Sequence, residues 1–415
     1  MILRRLSISV SSQMRQFSAL YLTGDKAREE YASVHPYMDF RGVLGDKKAL
    51  QDNLMKRKSS VDINKLYSQW KEYESLQERL HSLEEKRTEI ANTLKQQYKN
   101  LEKEEIEKLK AEGKNVRNSL TKLKDNSYGF EEEFINIFLQ VPNVIHPRVK
   151  DEVLHTFLNK EKSSAPGKLA DDINLYTTGN LARFEFVFPN YCQRIFKEKG
   201  YEFFSNPDFV RSVIVEAAGV DKNRLFQVLE EEDNKINLLH LSGGGTMLSF
   251  LSFIARLTVF STQLPLAFVA NGKCYTPKHE QGNSVQLFYA SGNCAEAEER
   301  FNEIMRNLKE IYEKLGNHFR IINVVPEHLD SSEMMRVSLQ MHSSSRDAYV
   351  EIANVSLHGD YISKRLLFNY KIGKTFMFPH IVTATVVNIA ELRKILLEQP
   401  EPNVENLLNL CKVNN

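Results

Sequence analysis

At 415 residues the chain is too long for one small core and calls for two or three domains. Its 55 lysines and arginines stand against 54 aspartates and glutamates, which excludes a global basic field and confines any nucleic-acid or membrane surface to a local patch. Four widely spaced cysteines with no CxxC pair argue against a disulfide framework or structural zinc, and no apolar run reaches the roughly 18 residues of a membrane span.

The chain opens with "MILRRLSISVSSQMRQFSALYLTG", which holds Arg4, Arg5 and Arg15 among serines and no acid before Asp25. Arg-rich, Ser-rich and acid-poor is the composition of a transit peptide, so residues 1–17 are set apart from the fold and the mitochondrial matrix is the expected location. "RQFS" (Arg15 to Ser18) is similar to the matrix-protease cleavage pattern and predicts a mature start near Ser18.

Residues 18–149 read as an N-terminal domain. From Ile63 the apolar residues keep a three-four rhythm through Leu66, Trp70, Tyr73, Leu76, Leu80, Leu83, Ile90 and Leu94. After a polar break near Lys99–Glu105 the rhythm resumes at Ile106, Leu109, Gly113, Val116, Leu120, Leu123, Ser127, Phe130, Phe134 and Ile137. Each run keeps one narrow apolar seam on one helix face, so the pair predicts an antiparallel helical hairpin over about residues 62–138, each helix rising roughly 50 Å. Pro142 removes a helical donor and ends the second helix. Lys95, Lys99, Lys103, Lys108, Lys110, Lys114, Arg117, Lys122 and Lys124 bias the distal end and returning helix towards positive charge. Point contacts to phosphate need no more than reachable lysine or arginine, so these nine are the candidate RNA-binding residues.

Residues 150–180 read as a connector. Beyond them, "ARFEFVF", "YEFFSNP", "INLLHL", "LPLAFVA", "SVQLFYA", "FRIINVV", "AYVEIANVSL" and "RLLFNYKI" are β-branched and aromatic runs between turn residues. Helical stretches such as "AEAEERFNEIMRNLKEIYEKLG" interrupt them, so 181–415 is expected to be an α+β domain on a mainly antiparallel sheet. "SSSRD" reads as a solvated loop and "GNSVQ" as a turn. The scattered histidines have no metal-ligand spacing, and neither a metal nor a cofactor is expected. "LSGGGTMLSF" (241–250) has the glycines of a phosphate cradle but no following GK[ST]; a backbone turn is the better reading.

A long arm ahead of an antiparallel-sheet domain resembles the seryl-tRNA synthetase family, a class II aminoacyl-tRNA synthetase fold. "FLQVPNVIHPRV" is similar to that family's arm exit, and "EKGYEFFSNPDFV" to its motif 1, with "AYVEIANVSLHGDYISKRLLFNY" close to the segments around the serine pocket. The match is nearest to the synthetase-like branch found in insect mitochondria. The resemblance implies a dimer through motif 1, here Phe203, Phe204 and Pro207, and an arm that embraces tRNA. It also implies positions at which the chemistry departs. The motif 2 "FRxE" falls on "CYTPKHE", putting Thr276 for the arginine and Lys278 for the glutamate, and the motif 3 arginine falls on Glu391. Arg393 is too far round the same helix to substitute. Gly244 and Thr246 stand in the loop that holds serine, whereas Glu351, Lys364 and Arg365 are retained. Adenylation gathers charge on phosphoryl oxygens and needs cationic or hydrogen-bonding groups aimed there. The implied protein is therefore a non-catalytic paralogue. Its expected partners are tRNA(Ser) or another mitochondrial RNA, together with the mitochondrial seryl-tRNA synthetase as a heterodimer, or a second copy of itself.

Overall fold

The computed structural model describes residues 18–22, 34–97, 103–158, 177–228, 237–276, 280–398, 408–409 and 411. Two short helices, α1 (Phe40–Leu44) and α2 (Lys47–Lys56), lead into the arm. Aspartates 39 and 46 start them, each carboxylate accepting from a backbone N–H of the first turn. The arm is α3 (Ile63–Gln97) packed along α4 (Lys103–Leu139), at 35 and 37 residues. Its seam is thin towards the tip: of α4 only Val116, Leu120, Ser127, Phe134, Ile135 and Phe138 are buried. The base is thick by contrast. Phe134 is fully buried with its ring 5.3 Å from that of Phe40 and 5.0 Å from that of Tyr73.

β1 (Val153–Phe157), within the span read as connector, adds an edge strand to the main sheet. The next segment overturns an expectation. "ARFEFVF" is part of a helix, α5 (Gly179–Glu198), and not a strand. Phe184, Phe188, Cys192 and Phe196 are buried at intervals of four, whereas Phe186 is 69% exposed. The strand-like alternation of three phenylalanines was the local part of a helical face.

After α5 come β2 (Glu202–Phe203) and β3 (Phe209–Arg211), then α6 (Ser212–Ala217), β4 (Phe226–Gln227), β5 (Leu239–Leu241) and α7 (Met247–Ile254). β6 (Thr258–Phe260) precedes a long hairpin, β7 (Leu266–Thr276) and β8 (Glu280–Ser291). "GNSVQ", read as a turn, is inside β8, where Gly282 gives way to Ala390 across a gap a Cβ would close to 2.7 Å. The rest is α8 (Cys294–Leu315), β9 (Phe319–Asn323), β10 (Met335–Ser343), β11 (Ala348–Gly359), α9 (Tyr361–Leu366), β12 (Asn369–Ile372), β13 (Thr375–Met377), β14 (His380–Asn388) and α10 (Ile389–Leu397).

Eight strands form one sheet in the order β1-β9-β10-β11-β14-β8-β7-β2, antiparallel except for the β2–β7 pair. One face packs under α5, α8 and α10 through Val285, Leu287, Tyr289, Val337, Leu339, Val355, Leu357, Val382 and Ala384. On the other face Phe288, Ala290 and Ile381 meet α6, α7 and α9 in a second core. No helix among the described residues is long and apolar enough to cross a membrane.

Phe134→Ala should loosen the arm base and cost about 3–5 kcal/mol locally. Trp70, the chain's single tryptophan, stacks edge-on at 5.6 Å from Tyr67 beside this cluster, so its fluorescence in a urea titration reads the loss.

Candidate functional site

Where the second core stops, the same face of the sheet turns polar. Ser284 and Gln286 of β8, Thr383 and Thr385 of β14, Asn354 and Ser356 of β11 and Arg336 of β10 floor a cavity of about 230 Å³. These residues alternate with the apolar ones that face the helices, so strand periodicity by itself builds a wet face behind a dry one. The rim is Gly245, Thr246, Cys274, Asp330, Glu333, Glu351 and Asn388.

The floor is tied to itself. Thr385 donates to Gln286 Oε1 at 3.0 Å, and Asn354 Nδ2 to Glu351 Oε1 at 2.8 Å. Ser356 donates to Glu333 Oε1 at 2.7 Å, and the Asp330 N–H to Glu333 Oε2 at 2.8 Å. Arg336 Nη1 approaches Glu333 at 3.4 Å and Asp330 at 3.6 Å. Burial still dominates at Glu333 and raises its carboxyl to about 7, against the pull of Arg336. His358, beneath it, is pushed down to about 4 by burial; its ring lies 3.1 Å from Ser332 Oγ and 2.9 Å from Thr383 Oγ1.

The triple glycine is a place of backbone contact. Gly243 has φ +97°, and a Cβ there would lie 2.1 Å from the Lys273 carbonyl of β7. A Cβ on Gly245 would lie 2.5 Å from the Gly272 carbonyl and 2.8 Å from that of Ser284. All four N–H groups of the turn are committed inside the protein. Those of Ser242 and Gly243 go to Asp208 O at 2.9 Å, that of Gly244 to Asp208 Oδ1 at 2.7 Å, and that of Gly245 to Lys273 O at 2.9 Å. None is left to cradle a phosphate. Thr246 donates to Gly243 O at 2.9 Å and opens α7.

Of the other sequence-derived positions, Thr276 closes β7 opposite Glu280, and Lys278 lies outside the described residues. Glu391, in the first turn of α10, is buried and held at 3.0 Å by both Arg346 and Lys394. Arg393 faces away to Glu185 of α5 at 3.0 Å. Lys364 and Arg365 point from the cavity towards the arm base: Lys364 pairs with Asp39 at 3.0 Å, and buried Arg365 donates to Leu139 O at 3.1 Å. Phe203 is 56% exposed and Pro207 is exposed, but Phe204 turns inward, its ring 4.6 Å from that of Phe268.

Lys95, Lys103, Lys108, Lys110, Lys114, Arg117, Lys122 and Lys124 are all exposed on the arm, and Lys99 lies outside the described residues. Lys103, Lys110, Arg117 and Lys124 recur every seventh residue, with Lys114 between them, which makes a stripe about 30 Å long on one flank of α4. Lys124 is tied to Glu84 at 2.9 Å. Sequence reasoning finds these residues but not the stripe, although the seven-residue interval is there to be counted. It misses the cavity floor too, whose signal is the alternation in "RVSLQM", "NVSLHG" and "VTATVVN".

This sheet, arm and cavity define a class II aminoacyl-tRNA synthetase-like protein. Residues 38–145 match the seryl-tRNA synthetase N-terminal domain family. The chain is 30% identical over 413 residues to the Drosophila melanogaster "Serine--tRNA synthetase-like protein Slimp", spanning 92% of this chain and 89% of that one. It is 23% identical over 440 residues to the mitochondrial serine–tRNA ligase of Bos taurus, spanning 94% and 84%. In fold it is similar to seryl-tRNA synthetase from Pyrococcus horikoshii, with a TM-score of 0.73 at 16% identity over 87% of this chain and 94% of the other. Cytoplasmic serine–tRNA ligase of Naegleria fowleri gives 0.70 at 16% identity, over 89% and 93%. The chain belongs to the seryl-tRNA synthetase family.

Three outcomes check this geometry. Gly245→Ala should displace the turn from β7 and lower the melting temperature, whereas Gly129→Ala, with open space around its Cβ on α4, should gain up to about 1 kcal/mol. Glu333 has its folded pKa above the ordinary value, so its contribution is full below about 4.5 and is lost as pH rises through about 7. Glu333→Gln removes that loss: its stability relative to wild type should climb by up to roughly 3 kcal/mol across this window, read by urea titrations at stepped pH.

Proposed function

We propose that this chain is a non-catalytic seryl-tRNA synthetase paralogue that works in the mitochondrial matrix as an RNA-binding accessory subunit. It pairs with the mitochondrial seryl-tRNA synthetase and supports serylation and translation there. The observation that carries the reading is the charge at the site. Glu391 stands where the family's pattern has an arginine, and its carboxylate is already occupied by Arg346 and Lys394. The cavity beside it holds Asp330 and Glu351, with Glu333 partly ionised near neutral pH, against Arg336 alone. A triphosphate entering such a site meets like charge, and a transition state gaining negative charge finds few donors left to stabilise it. Thr276 and Lys278 in place of the motif 2 pair support the same conclusion.

The lysine stripe on α4 supports the RNA-binding half, since a row of exposed cations matches a phosphate backbone without reading its bases. The exposed Phe203, Pro207 and Phe186, on β2, its continuation and the outer face of α5, support a second subunit there. The acid-poor leader supports the location, with residues 1–17 removed.

The test is co-expression of residues 18–415 with the mitochondrial seryl-tRNA synthetase of the same organism, with light scattering after size exclusion and serylation assayed on each peak. A one-to-one complex that charges tRNA is expected, with pyrophosphate exchange by this chain alone at background. Lys110→Glu with Arg117→Glu should keep the complex, weaken RNA binding, and flatten its salt dependence by about 0.7 to 0.9 logarithmic unit for each phosphate no longer neutralised. Two separate homodimers, with charging unaffected, would sink the accessory role.

A further inference from the structure

We infer that residues 18–22 are a clasp that fixes the direction of the helical arm against the sheet domain. The segment lies ahead of the matched family region at 38–145 and touches both bodies within five residues. At one end the Ser18 hydroxyl donates to Glu216 Oε2 on α6 at 2.7 Å, and the Leu20 N–H donates to the same oxygen at 3.0 Å. Lys222 holds the other oxygen of that carboxylate. At the far end the Tyr21 hydroxyl donates to Glu131 Oε1 on α4 at 2.8 Å. Burial, with Glu131 beside it, drives the Tyr21 phenol far above its ordinary pKa and keeps it a donor. Between these ends Ala19 and Leu20 enter the second core beside Val213 and Ile214, and Tyr21 packs on the arm-base core.

The clasp bridges one side of a joint that is tied elsewhere by Arg57 to the Asp330 carbonyl, by Asn143 to that of Ser332 and by Arg365 to that of Leu139. A cleft of about 670 Å³ separates the arm base, at Ser59, Asn136 and Gln140, from Gly219, Asn223 and Ser331 of the sheet domain. A void of that size leaves this side of the joint unpacked, so a short strap across it limits tilt about those attachments and with it the reach of the lysine stripe. The clasp starts at Ser18, where "RQFS" places the mature terminus. Cleavage there keeps every contact, and cleavage five residues later removes them all. The clasp rests on its own contacts and goes beyond the accessory-subunit reading.

The experiment is single-molecule energy transfer between dyes attached through azide-bearing amino acids at Asn92 on the arm and Lys371 on β12, both exposed. A chain beginning at Ser18 should give one narrow population. Tyr21→Phe with Glu216→Ala, Glu131→Ala from the arm side, and a chain beginning at Thr23 should each broaden or split it while circular dichroism stays that of the folded protein. If the truncated chain does not fold, the two sets of point variants decide. An unchanged distribution in those variants overturns the clasp, whatever the outcome with the synthetase.

Discussion

The strict alternation of side chains along β8, β14, β11 and β10 is the constraint on which everything else rests. Each strand sends apolar residues to the helices and polar ones to the cavity, so one register fixes both the main core and the site. A slip of one residue would put Gln286, Thr383 and Ser356 in the core and Leu287, Val382 and Leu357 in water. Three β-bulges interrupt the ladders that join these four strands, at Leu339/Gln340, Leu357/Gly359 and Thr385/Val387. The last explains why Val386 and Val387, neighbours in sequence, both face the dry core.

A polar face of that extent is costly unless its groups are bonded, and here they are bonded mostly to one another. Glu333 takes a hydroxyl, a backbone N–H and a guanidinium; Glu351 takes an amide; Glu391 takes two cations. A site organised for phosphoryl chemistry would hold donors in reserve, aimed at charge that forms only in the transition state. The N–H groups of the triple-glycine turn make the same point, because each already donates to a carbonyl or carboxylate inside the protein.

Much of this was legible in the sequence, and the exceptions have physical causes. The arm followed from a rhythm sustained over ten turns, too long for chance and too narrow to be buried all round. The glycine turn was recognisable as a turn because the residues after it are apolar, but only the fold shows that β7 lies against it too closely for any side chain. "ARFEFVF" misled because seven residues cannot separate a period of two from one of four; the buried Cys192 and Phe196 further on resolve it. "GNSVQ" has turn chemistry, yet Ala390, over a hundred residues later, requires a glycine in the strand there. Local propensity lost to tertiary packing. At Lys364 and Arg365 nothing local in the sequence says which way the side chains point. Arg346, the partner of Glu391, is 45 residues away from it in sequence and contributes to no motif.

The segment from Asp330 to Met334 explains why the frame of such a site should be kept. Its side chains serve the cavity: Glu333 forms part of the rim and Ser332 holds His358. Its backbone serves the arm. Arg57 of the α2 C-terminus donates to the carbonyls of Asp330 and Glu333, Asn143 to those of Ser331 and Ser332, and the His146 N–H to that of Met334. One short stretch is thus both the wall of the pocket and the dock of the arm. Loosening the pocket would unseat the arm, because the same five residues cannot move for one and stay for the other. With or without the chemistry, the chain needs the pocket's walls, since they carry the load of a lever more than 50 Å long.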